Sequence, residues 1–165
     1  MTLRTTKMLL VFALATFYSL VVFNNVTDYD SNYQLVRHVL MMNSTSAGNH
    51  EMWRAQNQPA LHTVFYISII AWEVLTMALC WWGGFRLLKV RRGTAAEFER
   101  AKSVAVAALT LSMLMWLVAF LSVGGEWFLM WQSKSWNGQD AAFRMFTVVG
   151  IVLLLVSQRE SDERS

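Results

Sequence analysis

The chain is poor in three things that most folded domains use freely. Charged residues make up 15% of its 165 residues, against about a quarter in soluble domains. There is one proline, so long stretches are free to run as unbroken helix. There is one cysteine, Cys80, which excludes an internal disulfide framework and a Cys-rich metal site. The chain also lacks a Gly-rich phosphate loop, a nucleotide fingerprint, an internal repeat and any low-complexity tract. Its net charge is +3, but the basic residues gather at the ends of apolar segments rather than on one face. That pattern speaks for membrane topology and against a nucleic-acid surface.

What the chain has in abundance is apolar sequence, 55% of all residues. Four runs are long enough to cross a bilayer, given helical extensions at their ends. Their expected spans are residues 5–24, 60–84, 103–125 and 138–157. The first follows Arg4 and Lys7 as a signal peptide would, but no small-residue cleavage site succeeds it, so it reads as a retained span. Ten of the Lys and Arg residues flank one side: Arg4, Lys7, Arg86, Lys89, Arg91, Arg92, Arg100, Lys102, Arg159 and Arg164. Arg37, Arg54, Lys134 and Arg144 belong to the other side or its border. The positive-inside rule then makes both termini, residues 85–102 and the polar tail 158–165 cytoplasmic, and residues 25–59 an outer loop. The tail is expected to fray. Trp127, Trp131 and Trp136 mark the outer boundary, and Trp81, Trp82 and Phe85 the inner one, as interfacial aromatics do.

Within the outer loop, residues 31–42 place Leu35, Val36, Val39, Leu40 and Met42 at helical spacing. They predict a short amphipathic helix lying on the membrane surface or over the spans. Two N-x-[ST] triplets, at Asn25 and Asn43, are set aside; such triplets are common, and Asn25 is too near the bilayer. Residues 124–144 interleave aromatics with Glu126, Gln132, Asn137 and Asp140. Here Asn137 is expected to cap the fourth span, and Asp140 and Arg144, four apart, to pair.

Glu73 is the most telling residue. It sits in the middle of the apolar run 60–82, about 20 Å along the helix from Ala60. A carboxyl there costs roughly 3 kcal/mol or more unless it faces protein, water or a partner. Helical spacing gathers His62, Tyr66, Glu73, Thr76 and Cys80 on one face. In the third span, Ala101, Ala105, Ala108, Ser112, Met115, Ala119, Ser122 and Glu126 form a stripe of mostly small or polar residues, the surface that lets membrane helices approach closely. The two stripes are expected to face each other, with His62, Glu126 and Arg144 near the outer mouth. A candidate ligand or partner site follows: Glu73, His62, Tyr66, Glu126, Trp127, Trp131, Gln132, Trp136, Asn137, Arg144, Asn24, Asp28, Trp53 and Arg54. Whether Glu73 binds a ligand, cation or proton, fixes helix register, or meets a partner subunit stays open at this point. His38, His50 and His62 fall on the outer side without the spacing of a metal site, and no catalytic constellation or cofactor is expected.

The segments Val21 to Asn32 (VVFNNVTDYDSN), Met52 to Ala55 (MWRA), Cys80 to Gly84 (CWWGG) and Gly124 to Arg144 (GGEWFLMWQSKSWNGQDAAFR) resemble a family of small bacterial integral membrane proteins, domain of unknown function 2165. The resemblance implies a bacterial inner-membrane location and four spans, and no activity. The expected fold is thus an all-α membrane protein: one domain, four transmembrane helices in a bundle, and a short amphipathic helix in the first outer loop. The expected function is non-enzymatic, an outer polar and aromatic cap binding a partner membrane subunit or small ligand. The alternatives are an oligomeric, proton-coupled exporter that uses Glu73, and a redox or metal-dependent membrane enzyme subunit. The bilayer is the expected partner, with a homo-oligomer or further subunit beside it.

Overall fold

The computed structural model describes residues 3–160. Arg164 and the rest of the tail from 161 on lie outside the described residues, so the tail expectation reaches them only in part. Within those limits the chain is all helix and connection. The helices are α1 (Leu3–Thr27), α2 (Tyr29–Met41), α3 (Pro59–Val90), α4 (Ala95–Leu114, continuing as π-helix over Met115–Trp127) and α5 (Gln139–Ser157), with short 3-10 turns at Met52–Arg54 and Met130–Gln132. Four of these helical stretches are long and apolar enough to cross a membrane: Leu3–Thr27, Pro59–Val90, Ala95–Trp127 and Gln139–Ser157.

Local chemistry explains the element ends. Pro59 opens α3 at a position where its missing N–H costs nothing. Thr94 and Glu97 form a reciprocal capping box at the start of α4. Residues 91–94 are the whole connection between α3 and α4, because both helices extend past the apolar runs. At the other face, Asp28 separates α1 from α2. Met42 then closes α2 in the left-handed region at φ 50°, its N–H bonding to the Val39 carbonyl. A non-glycine residue held there carries some strain. It is locked by packing, since Met42 is buried against Leu40 and Phe128.

Helix α3 packs between α1 and α4, α4 and its π segment pack on α5, and α5 returns to α1. The largest apolar core fills the half of the molecule nearer the termini, where Val11, Ala15, Cys80, Leu87, Phe98, Ala105, Leu109 and Val149 are fully buried. Small residues set the α3–α4 distance: a Cβ added at Gly83 would lie 2.8 Å from the Ala105 backbone nitrogen. Outward-facing side chains on the long helices are apolar, including Leu20, Phe23, Ile67, Leu75, Ile151 and Leu154. That exterior suits hydrocarbon rather than water.

The small-residue stripe of the third span holds through Met115 and then stops. Ala101, Ala105, Ala108, Ser112 and Met115 are buried, whereas Ser122 and Glu126 are exposed. The cause is the π-helix. Its hydrogen bonds reach five residues back, as in Phe128 N–H to the Val123 carbonyl at 3.0 Å, and the Ser122 hydroxyl follows the same step to Leu117. More residues per turn rotate the face, so positions three and four apart no longer align. The switch begins where an outside donor enters the ladder. The Trp72 indole donates to the Leu111 carbonyl at 3.0 Å, and the Met115 N–H is shared between the carbonyls of Leu111 and Ser112.

The tail does not fray at once. Lys7 and Lys102, both buried, donate to the Gln158 carbonyl at 2.6 and 2.7 Å. Glu160 binds Lys7 at 2.5 Å and Arg4 at 3.4 Å. The freed carbonyl end of α5 thereby receives two cations, the arrangement that helix ends favour.

Candidate functional site

Glu73 is 3% exposed. It projects from α3 toward α1, not toward lipid. Asn25, near the end of α1, donates its side-chain amide to Glu73 Oε2 at 2.6 Å. The Tyr66 hydroxyl, two turns before Glu73 on the same face of α3, donates to the Asn25 carbonyl at 3.2 Å and to Asn25 Oδ1 at 3.3 Å. With its amide oxygen taken by Tyr66, Asn25 has its nitrogen turned to the carboxylate. Tyr66 is held in turn by Tyr29 of α2, ring edge to ring face at 4.7 Å. The other carboxyl oxygen of Glu73, Oε1, has no hydrogen-bond partner among the described residues.

Glu73 is part of the wall of a cavity of about 290 Å³. The polar lining is Asn24, Asn25, Asn32, Tyr66 and Glu73; Val21, Ile69, Trp116 and Phe120 supply much of the apolar remainder. No Lys, Arg or His lines it. A carboxylate here would have one good hydrogen bond and no counter-ion, in surroundings where an unpaired charge costs several kcal/mol. The chamber therefore favours a guest that donates hydrogen bonds or carries positive charge. Beside it, the Trp116 indole donates to the Tyr18 hydroxyl at 3.0 Å, and Tyr18 shares a 2.5 Å hydrogen bond with Ser112. That network is satisfied internally and leaves Glu73 as the group in need.

The other candidate residues go elsewhere. His62 is buried, but its Nε2 meets the Gln56 carbonyl at 2.7 Å, a local tie at the start of α3. Glu126 and Arg144 are exposed and do not reach the chamber. Asp140 is exposed too, and no ion pair joins it to Arg144 among the described residues; the expected pair gives way to separate outward-pointing side chains. The cap of α5 is Gly138, without a side-chain cap bond; Asn137 sits one residue earlier and accepts from the Gln139 N–H at 3.0 Å, a local turn in place of the expected cap. Asp28 accepts from the Ser31 hydroxyl at the start of α2.

The remaining aromatics and amides stitch the two long connections together. Arg54 lies 5.2 Å from the Trp53 ring centre and 4.7 Å from that of Trp127, with Glu51 at 2.6 Å as its ion-pair partner. His38 stacks on Trp136 at 4.4 Å. Ser44 bonds Ser133 at 2.8 Å, and Gln132 accepts from the Ser46 N–H at 3.1 Å. Trp131 stays half-exposed. These groups bind one another and build a cap. The histidines are dispersed within it, and no cluster of three His, Cys, Asp or Glu among the described residues could hold a metal.

Of the polar and aromatic chamber residues, Asn25, Asn32, Trp116 and Phe120 are not among the sequence candidates. A signal for Asn25 was present: Val11, Leu14, Tyr18 and Asn25 follow steps of three, four and seven, one helical stripe, and all four are buried. Its glycosylation triplet drew attention to the wrong property.

No curated protein and no solved structure matches the chain. A family model does, over residues 3–159. With its four long apolar helices and its buried polar interior, the chain belongs to the family of predicted small integral membrane proteins, DUF2165.

Proposed function

We propose that this protein is a non-enzymatic ligand-binding membrane protein, and that its ligand is a small molecule with an amine head held by Glu73. The observation that carries the reading is a buried carboxyl, Glu73, 3% exposed, that holds a single hydrogen bond, from Asn25, and lines a cavity of about 290 Å³. A carboxyl with one hydrogen bond beside an open chamber has acceptor capacity left for a donor. An ammonium donates to the carboxyl and supplies the counter-charge that the lining lacks, while Asn24 and Asn32 offer amide oxygens to its remaining protons.

The charge pattern supports a side of the membrane for the site. The excess of Lys and Arg beside the termini and the α3–α4 connection favours a cytoplasmic location for that face, in a bacterial inner membrane. The stitched cap and the chamber beneath it then belong to the outer side, within reach of molecules outside the cell.

The test is direct binding to the full chain in lipid nanodiscs, using octylamine and octyl sulfate as matched probes. Octylamine is expected to bind saturably, octyl sulfate is not, and Glu73→Gln weakens octylamine binding at least about tenfold, the scale of one charge-assisted hydrogen bond. Equal binding of the two probes, or an unchanged affinity in the variant, overturns the reading.

A further inference from the structure

Across Ile69 and Phe120 from the Glu73 chamber lies a second hollow, of about 260 Å³. It runs between α3 and the π segment, under Val39 and Leu40 of α2 and down to Trp72 and Met115. Ser68 is its one polar side chain. Phe65, Trp72 and Val118 on its rim are 40%, 39% and 46% exposed, so the hollow opens sideways from the helices, where a membrane protein meets lipid chains. Leu35, Val36, Ile69 and Phe120 line both hollows.

A polar chamber sharing a thin apolar wall with a lipid-facing groove fits one kind of molecule. The geometry points to an amine-headed, single-chain amphiphile, its head at Glu73 and its alkyl tail passing between Ile69 and Phe120 into the groove. This inference rests on the reading of the Glu73 chamber as a ligand site and adds the class of ligand. Phospholipid headgroups fit poorly, because no Lys or Arg lines either hollow to meet a phosphate, and the phosphate would sit beside a carboxyl. An alkyl chain needs no polar partner, and the groove offers it aromatic and aliphatic walls.

Dodecylamine with a photoreactive diazirine at the tail end, added to the full chain in phosphatidylcholine nanodiscs, tests the placement. Irradiation is expected to mark peptides covering residues 65–72 and 118–123, and the marking should disappear with excess plain dodecylamine or in Glu73→Gln. Filling the groove by Ser68→Phe, or by Val118→Trp should the first variant lose its fold, is expected to weaken dodecylamine about tenfold while butylamine, too short to leave the chamber, binds as before. Comparing variants in one bilayer cancels the partitioning of the probe into lipid. Dodecylamine that binds equally well to the filled variants and marks other peptides overturns the tail placement and leaves the amine site standing. A filled variant that changes oligomeric state marks the groove as a subunit contact and also overturns it. Absence of saturable binding by either amine removes the underlying chamber reading.

Discussion

Asn25 is the residue on which the site turns, because it is the sole hydrogen-bond partner of Glu73 among the described residues. Removing it by Asn25→Ala leaves a buried carboxyl without any donor, and the expected loss of stability is about 1–3 kcal/mol. Glu73→Gln has the opposite expectation. An amide keeps an oxygen for Asn25 and sheds the desolvation cost of a carboxyl, so the unliganded variant should unfold at the same temperature as wild type or higher, while it loses amine binding. Functional groups that cost stability behave in this way. Thermal unfolding of both variants in one detergent checks the pair; a Glu73→Gln protein that unfolds earlier than Asn25→Ala would show that the carboxyl is structural cement. Glu73 itself was plain in the sequence, since an acid amid lipid-length apolar sequence has few explanations. Its partner was less plain, because Asn25 lies at the end of an apolar run, where polar residues ordinarily meet water.

At the scale of elements, apolar run length and helical period account for what the sequence revealed and what it hid. Run length located the four long helices, and period found the α3 face on which His62, Tyr66, Glu73, Thr76 and Cys80 are all buried. Both tools assume one helical period throughout. The π segment breaks that assumption after Leu114, and with it the alignment that would have carried Ser122 and Glu126 inward. What triggers the change, an indole from a neighbouring helix bonding to Leu111, is a tertiary contact that no reading of α4 alone could supply. Close approach was legible in the small residues of α4 and is realised where Gly83 meets Ala105. A methyl there falls inside van der Waals contact with backbone atoms, which cannot swing aside as a side chain would. Gly83→Ala should therefore separate α3 from α4 and cost about 1–3 kcal/mol, whereas Gly48→Ala tests a different property, the left-handed backbone of an open turn at φ 80°. Denaturation of Gly83→Ala with wild-type stability would mean the two helices slide freely past one another.

The whole molecule is held at both ends by contacts that join segments far apart in the chain. At the cap, the two long connections are tied by exposed stacks and single hydrogen bonds. At the termini the ties are ionic and shielded. The side chains of Lys7 and Glu160 are 0% and 5% exposed, and Lys7 also donates to the Gln158 carbonyl, so the first and last described turns close on each other. Lys102 adds α4 to the same point through Gln158. Stripping Glu160 of its carboxylate leaves the buried Lys7 ammonium with a carbonyl as its remaining partner, and breaking a buried pair from one side costs about 3 kcal/mol or more. Glu99 pairs with Lys102 in the same cluster and accepts the Glu160 N–H at 2.5 Å; its own side chain is 37% exposed, so water replaces part of what is lost there, while the shielded Lys102 keeps the Gln158 carbonyl, and the expected cost is about 1–2 kcal/mol. Glu160→Ala should accordingly destabilise the protein more than Glu99→Ala and expose α5 to proteolysis from its end. Raising salt to about 1 M should narrow the difference little, because a pair sealed from solvent is weakly screened. Equal losses in the two variants, or a Glu160 effect that salt abolishes, would make the clasp a surface ion pair and leave α5 anchored by its apolar face alone.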